Sequence, residues 1–207
     1  MPSAASPPRS PSRLPWAAPS IAATASTRSA RRGGNTANPA FRLLDDPEDH
    51  AGARVRRIGG LTIWAETLAI HTTAAREFVD VTDQVAAVVQ RSRVSQGWVS
   101  VFSKHTTAAV VLNENEPLLL KDMGALLERL SAATGTYEHN DLSRRTGEMD
   151  PEECANGHSH CQHLLIGASE NVPVADGRPD LGRWQRIFLL ELDRPRDRQL
   201  VVQVFGA

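Results

Sequence analysis

Cysteine is scarce in this chain of 207 residues: Cys154 and Cys161 are its two. That is too few for a disulfide scaffold and suits a reducing compartment. No uninterrupted apolar run is long enough to span a bilayer. Pro15 and Pro19 interrupt the one Ala-rich stretch near the start, so a secretory signal is not expected there. Basic excess is also missing. A formal net charge of −1 argues against a general nucleic-acid binder while leaving room for a local basic pocket. From Met1 to Leu44 there is no Asp or Glu, and Ser, Pro, Ala and Arg dominate without apolar periodicity. Such a segment buries too little surface to offset its ordering entropy, so residues 1–60 are expected to form a disordered extension. Its acid-free, Arg- and Ser-rich composition also fits an organellar transit peptide, but no amphipathic helix is visible in it. The expectation is a cytoplasmic protein, or an organellar one if that segment is a leader.

What is present begins at about Leu61 and is long enough for one substantial core. Leu61–Ile70 and Glu77–Val81 read as a hairpin. Thr82 stands where an N-cap belongs, before a helix over 83–91 with Val85, Val88 and Val89 on one face. Gly97 marks a turn, and Trp98–Ser103 and Ala108–Asn113 read as strands. Pro117 suits the first turn of a second helix. Its inward stripe is Leu119, Met123, Leu126, Leu127 and Leu130, and Asp122 lies beside that stripe. Residues 136–156 are polar and aperiodic, a long loop of the kind that carries function. Gly157–Ile166 forms a short helix closed by Gly167, followed by a strand, an Asp176-Gly177 turn and two alternating strands over 184–192 and 200–205. The fold class is α+β: a mostly antiparallel sheet with two or three packed helices in one compact domain.

The chemistry concentrates around the stretch His105-Thr-Thr-Ala-Ala-Val-Val-Leu-Asn-Glu-Asn115. Its apolar middle is a buried strand, yet polar groups able to hold a metal or a phosphate stand at both ends. Six of the seven histidines lie after residue 60, and four of them fall between His139 and His163. Histidine is the commonest metal ligand and the usual proton carrier near neutral pH. Cys154, His158 and Cys161 lack the second short-spaced pair that structural zinc sites use. A site assembled from His105, His139 and His160, with Asp122 or a water completing the shell of a divalent ion (Mg²⁺ or Zn²⁺), leaves the open position a catalytic or substrate-binding metal needs.

His105-Thr-Thr-Ala-Ala with Asn113-Glu-Asn-Glu116, Asp122-Met123, Tyr137-Glu-His-Asn140, Asn156-Gly-His-Ser-His160, Leu165-Ile-Gly167, Gly182-Arg-Trp-Gln185 and Glu191-Leu-Asp-Arg-Pro-Arg196 resemble, in that order, the motifs of the YjbQ family, small proteins also called secondary thiamine-phosphate synthases. The resemblance runs from about Glu77 to Gly206. It implies an α+β homotrimer and a transferase that joins a pyrimidine methyl diphosphate to a thiazole phosphate, releasing pyrophosphate. On that basis His105, His139 and His160 take metal or phosphate contact, and Thr106 and Thr107 phosphate hydrogen bonds. Asn113 and Asn115 orient substrate, and Glu114 and Asp122 act as ligand-orienting or acid–base groups. Gln185, Glu191 and Arg196 complete the wall. The less specific alternative is a trimeric protein that binds a metal or a small phosphorylated metabolite, with a hydrolase or regulatory role. Beside these roles stand plainer ones: Trp184 as core, Asn115 and Glu116 as helix caps, Arg194, Arg196 and Arg198 as a solvated turn. Arg183 and Arg186 depart from the family's usual Gly-Thr-Trp-Gln-Gly, and Arg186 either fills space or adds a phosphate-binding charge.

Overall fold

The computed structural model describes residues 52–147, 149 and 153–207. The proposed disordered extension lies outside them up to residue 51, but the rest of it does not: β1 (Arg54–Ile58) precedes the expected start of the domain. Then follow β2 (Leu61–His71), β3 (Phe78–Asp80), α1 (Thr82–Ser92), β4 (Gln96–Ser103), β5 (Ala108–Glu114) and α2 (Pro117–Leu130). After a single 3₁₀ turn at Glu138–Asn140 come α3 (Gly157–Ile166), β6 (Ser169–Ala175), β7 (Arg178–Pro179), β8 (Gln185–Glu191) and β9 (Asp197–Gly206). The strands form two sheets, one ordered β1-β2-β9-β4-β6-β7 and one ordered β3-β8-β5, with antiparallel pairing throughout. This is the α+β class that alternating strands and short amphipathic helices predict.

The core lies between the sheets. Val85, Val88 and Val89 of α1 pack with Val99 and Val101 of β4, Val202 and Val204 of β9, and Ile187 and Leu189 of β8. A second cluster, with Leu127 of α2, Ala109 of β5 and Leu190 of β8, occupies the other face of the smaller sheet. β8 is therefore covered on both sides, and every residue from Ile187 to Glu191 is buried. The run Ile187-Phe-Leu-Leu190 is apolar throughout, as a strand buried on both faces requires. The expected alternation over 184–192 is corrected accordingly. Trp184 also leaves the core: it is 60% exposed, with the Arg183 guanidinium 4.5 Å over its ring.

Other local expectations change for identifiable reasons. β2 does not form a hairpin with β3; it pairs with β1 and β9, whereas β3 joins β8 in the other sheet. Thr82 is the first residue of α1, not its cap: its Oγ1 accepts the Ile187 N–H (2.8 Å) and its own N–H is taken by Asp80 Oδ1 (3.0 Å). Gly97 lies inside β4, where a Cβ would stand 1.8 Å from the Phe205 carbonyl oxygen, so glycine there permits close strand approach instead of a turn. Glu116 caps α2, accepting the Leu119 N–H at 2.7 Å. Of the stripe expected to face inward, only Leu127 is buried; Leu126 and Leu130 are exposed. The Asp176-Gly177 turn between β6 and β7 is as read, with both residues at positive φ (49° and 74°). Among the described residues no helix is long and apolar enough to cross a membrane.

Candidate functional site

Register divides the residues picked from sequence. In the β5–β8 pair Ala108 faces Glu191 and Glu114 faces Gln185. Six residues of strand separate the two ends by about 20 Å. His105, Thr106 and Thr107 precede β5 at the Glu191 end, while Asn113, Glu114, Asn115 and Gln185 gather at the other.

At that second end several of the polar side chains are already engaged. Asn113 Nδ2 reaches Met123 Sδ (3.1 Å), and its Oδ1 accepts the Glu114 N–H (2.9 Å). Gln185 Oε1 accepts the Gly182 N–H (2.8 Å). Asn115 donates to Asp80 Oδ2 (3.0 Å), which also takes the Arg186 Nε–H (2.7 Å); Arg186 reaches Asp83 as well (3.2 Å). Burial pushes the Asp80 carboxyl up, but Arg186, Thr82 and Asn115 together outweigh it and hold it below the usual range. Arg186 is therefore an ion-pair partner, neither space filler nor free phosphate ligand. Asp122 is exposed on α2. None of these residues lines the cavity at the other end.

That cavity, of about 380 Å³, is bounded by the turn before β5, the first turn of α3 and the long loop between α2 and α3. His139 and His160 meet edge-to-face there, with ring centroids 4.6 Å apart. Among the described residues His139 Nε2 and Asn156 Oδ1 are buried without a hydrogen-bond partner. Unpaired buried polar atoms in one cavity mark a place where a ligand supplies the missing bonds. Burial, and after it His139, pushes the His160 imidazole below its ordinary pKa.

The opposite wall carries donors. The Gln199 N–H donates to His105 Nε2 (2.8 Å), which leaves the ring proton on Nδ1. Burial, then the Arg198 charge, lowers the His105 pKa, so the neutral donor tautomer persists at neutral pH. Arg198 is 4% exposed, its guanidinium bound by Glu191 through Nε (2.6 Å) and Nη2. Arg198 Nη2 also donates to Thr107 Oγ1 (3.1 Å), so the Thr107 hydroxyl keeps its own proton for another acceptor. Lys104, Arg145 and Arg196 add positive charge to the lining. Arg145 stands 3.2 Å from Glu153 Oε1, and Arg196 Nε is held by Asp193 Oδ2 at 3.1 Å. Burial works against the Arg196 charge, but Asp193 and Cys154 more than offset it and raise its pKa.

The structure thus brings together His105, Thr106, Thr107, His139, His160 and Arg196. Glu191, expected as pocket wall, lies beneath it: it is fully buried and accepts from Thr72 Oγ1 (2.9 Å), the Asp193 N–H (2.9 Å) and Arg198. Sequence reasoning missed Lys104, Arg145, Glu153 and Arg198, and gave Asn156 no role beyond its place in a motif. A signal for Arg198 existed. Stepping by two back from Val204 through Val202 and Leu200 puts it on the inward face of β9, not in a solvated turn.

The expected metal triad is not formed. Among the described residues no group of three or more His, Cys, Asp or Glu is placed to hold a metal ion. His105 is the reason: a ring whose Nε2 accepts a backbone hydrogen bond carries its proton on Nδ1 and offers a donor, not a lone pair. A divalent cation also fits poorly among Lys104, Arg145, Arg196 and Arg198.

The model of the family described as UPF0047 protein YjbQ-like matches residues 66–207. A UPF0047 protein of Methanothermobacter thermautotrophicus is 36% identical over 70% of this chain and 94% of its own length. The UPF0047 protein YugU of Bacillus subtilis is 34% identical over 68% of this chain and 98% of its own. A solved Sulfolobus solfataricus structure superposes with a TM-score of 0.64 at 31% identity, covering 71% of this chain and 99% of that one. Its description is a YbjQ-like protein of unknown function, and none of these relatives is described as a synthase. The expectation of thiamine phosphate synthesis is therefore overturned. The geometry agrees, since the groups meant to orient one substrate and those meant to hold phosphate lie at opposite ends of a strand pair. By sequence over most of its length and by fold, the chain belongs to the YjbQ-like UPF0047 family.

Proposed function

We propose that this protein binds a small phosphorylated metabolite through the cavity at His139 and His160. The observation that carries the reading is the donor character of the wall. His105 Nδ1–H, the Thr107 hydroxyl and the cations of Lys104, Arg145 and Arg196 converge on one concavity. A phosphoryl group offers oxygens that accept all of these, and guanidinium groups match its geometry. The first turn of α3 borders the same space, and the positive end of its dipole favours an anion. His160, whose imidazole burial holds neutral in the empty cavity, supplies a group that takes up a proton when a dianion arrives.

The direct test is calorimetric titration of the full chain with inorganic phosphate and methyl phosphate at constant ionic strength. Binding lost by at least about tenfold in Arg196→Ala and His160→Gln, both still folded, supports the reading. Absence of binding at millimolar phosphate by the folded wild-type protein removes it.

The expected homotrimer belongs to the same proposal. Leu118, Leu126, Leu130, Leu164 and Leu165 are 46% to 83% exposed in the single chain, apolar surface that an interface between copies would bury. Analytical ultracentrifugation decides it, a monomer at micromolar concentration being the contrary result. A cytoplasmic location is supported by the unpaired thiols Cys154 and Cys161. Localisation of a tagged full chain tests it.

A further inference from the structure

A second cavity, of about 790 Å³, is lined by His71, Glu153, Arg194, Pro195, Arg196 and Asp197. Two of these residues, Glu153 and Arg196, also line the donor-rich cavity. A ligand held by its phosphate at His139 and His160 therefore has its remaining atoms directed past a shared wall. We infer that the organic part of the bound phosphate ester is a neutral polyhydroxylated chain or sugar, seated in this second cavity against Asp197, His71 and Glu153. The inference rests on the phosphate-binding reading and adds the ligand's class.

The lining chemistry excludes the other common ester classes. Among the described residues around the two cavities none is Phe, Tyr or Trp, so there is no platform for a stacked base. Among the described residues Pro195 is the sole apolar side chain of the second cavity, too little to hold an acyl or prenyl tail. A second phosphate there would face the carboxylates of Glu153 and Asp197. A cationic headgroup would face the guanidinium groups of Arg194 and Arg196. Hydroxyl groups are the neutral functions that both donate to carboxylates and accept from guanidinium.

Glu153 and Asp197 are built for that task. A carboxylate in a phosphate site is electrostatically wrong unless it has another use. Arg145 holds the Glu153 carboxyl below its ordinary range, so it stays ionised as an acceptor at the junction. Asp197 opens β9 directly opposite His71 at the end of β2, and its Oδ1 meets His71 Nδ1 at 2.9 Å. That contact orients the imidazole and leaves Asp197 Oδ2 and His71 Nε2 for hydroxyl groups.

The experiment compares methyl phosphate, which has no hydroxyl group, with ribose 5-phosphate by calorimetry on the full chain, wild type and Asp197→Ala. The Asp197 side chain is 94% exposed, so its removal leaves the fold intact. The expected result is ribose 5-phosphate binding about tenfold or more tighter than methyl phosphate, with the gap closed in Asp197→Ala and methyl phosphate affinity unchanged. Equal affinities for both esters in the wild type overturn the inference while leaving the phosphate reading standing. A gap that survives in Asp197→Ala overturns the placement of the organic part. Binding of neither ester overturns both.

Discussion

His105, His160 and His163 share a feature that sets how the protein answers to acid: burial pushes each imidazole below its ordinary value of 6.5. A depressed histidine is neutral in the folded state while the unfolded chain takes up a proton first. Stability is therefore complete above pH 6.5 and falls as pH drops from there toward the lowered values. His163 separates this effect from binding, because it lies outside the cavity and its Nε2 is buried without a partner among the described residues. His163→Gln is expected to flatten the decline of melting temperature between pH 6.5 and 5; an unchanged slope would assign the acid sensitivity elsewhere. In the cavity the sign reverses for ligand. A phosphate dianion favours the charged His160 imidazole, so binding takes up protons, and affinity is expected to rise as pH falls from 6.5 toward the lowered His160 value. Calorimetry in buffers of different ionisation heat checks this, zero proton uptake being the adverse result. His105, Thr106, Thr107, His139 and His160 stood out in the sequence as chemistry-bearing residues, whereas Arg196 was singled out only through the family resemblance, its plainer reading being a solvated turn. Arg198 and Glu153 were not, since a buried arginine and a carboxylate in an anion site look in sequence like surface charges.

Elements carry the division between stability and function. Leu189 sits in a strand with no solvent-facing side and is 0% exposed. Leu189→Ala is expected to cost about 2–5 kcal/mol in chemical denaturation, whereas Asp122→Ala on the exposed side of α2 stays within about 0.5 kcal/mol and leaves phosphate binding unchanged. Gly97→Ala puts a methyl group 1.8 Å from the Phe205 carbonyl, so the β4–β9 pairing must shift and the melting temperature fall. A variant as stable as the wild type would show that the strands tolerate wider spacing. α1, α2, α3 and most strands were legible from periodicity and punctuation: valines at helical spacing, Pro117 at an N-terminus, Gly167 at a C-terminus. Partner choice between strands was not. β2 and β3 are neighbours in sequence with a polar turn between them, yet each finds its hydrogen bonds in a different sheet. Register likewise decided which polar end of β5 belongs to the cavity, and no local pattern encodes register across a distant strand.

For the molecule as a whole, the larger sheet is organised about β9, which pairs along its length with β2 on one side and β4 on the other. Without it that sheet separates into β1-β2 and β4-β6-β7. The same strand supplies Arg198 to the cavity wall and Asp197 to its neighbour. β9 also comes after every other strand of that sheet in chain order. A ribosome releases a chain from its N-terminus onward, so the two halves of the sheet must wait, edges unpaired, until residues 197–206 emerge. Arrested nascent chains ending before Asp197 are expected to be protease-sensitive and those carrying Gly206 clear of the exit tunnel resistant, with the change abrupt instead of gradual. Pairings so distant along the chain also put its refolding toward the slow end of the range for small domains. During that interval the exposed edges of β2 and β4 are open to strands of other chains, which makes this a protein whose yield depends on how crowded its own synthesis is.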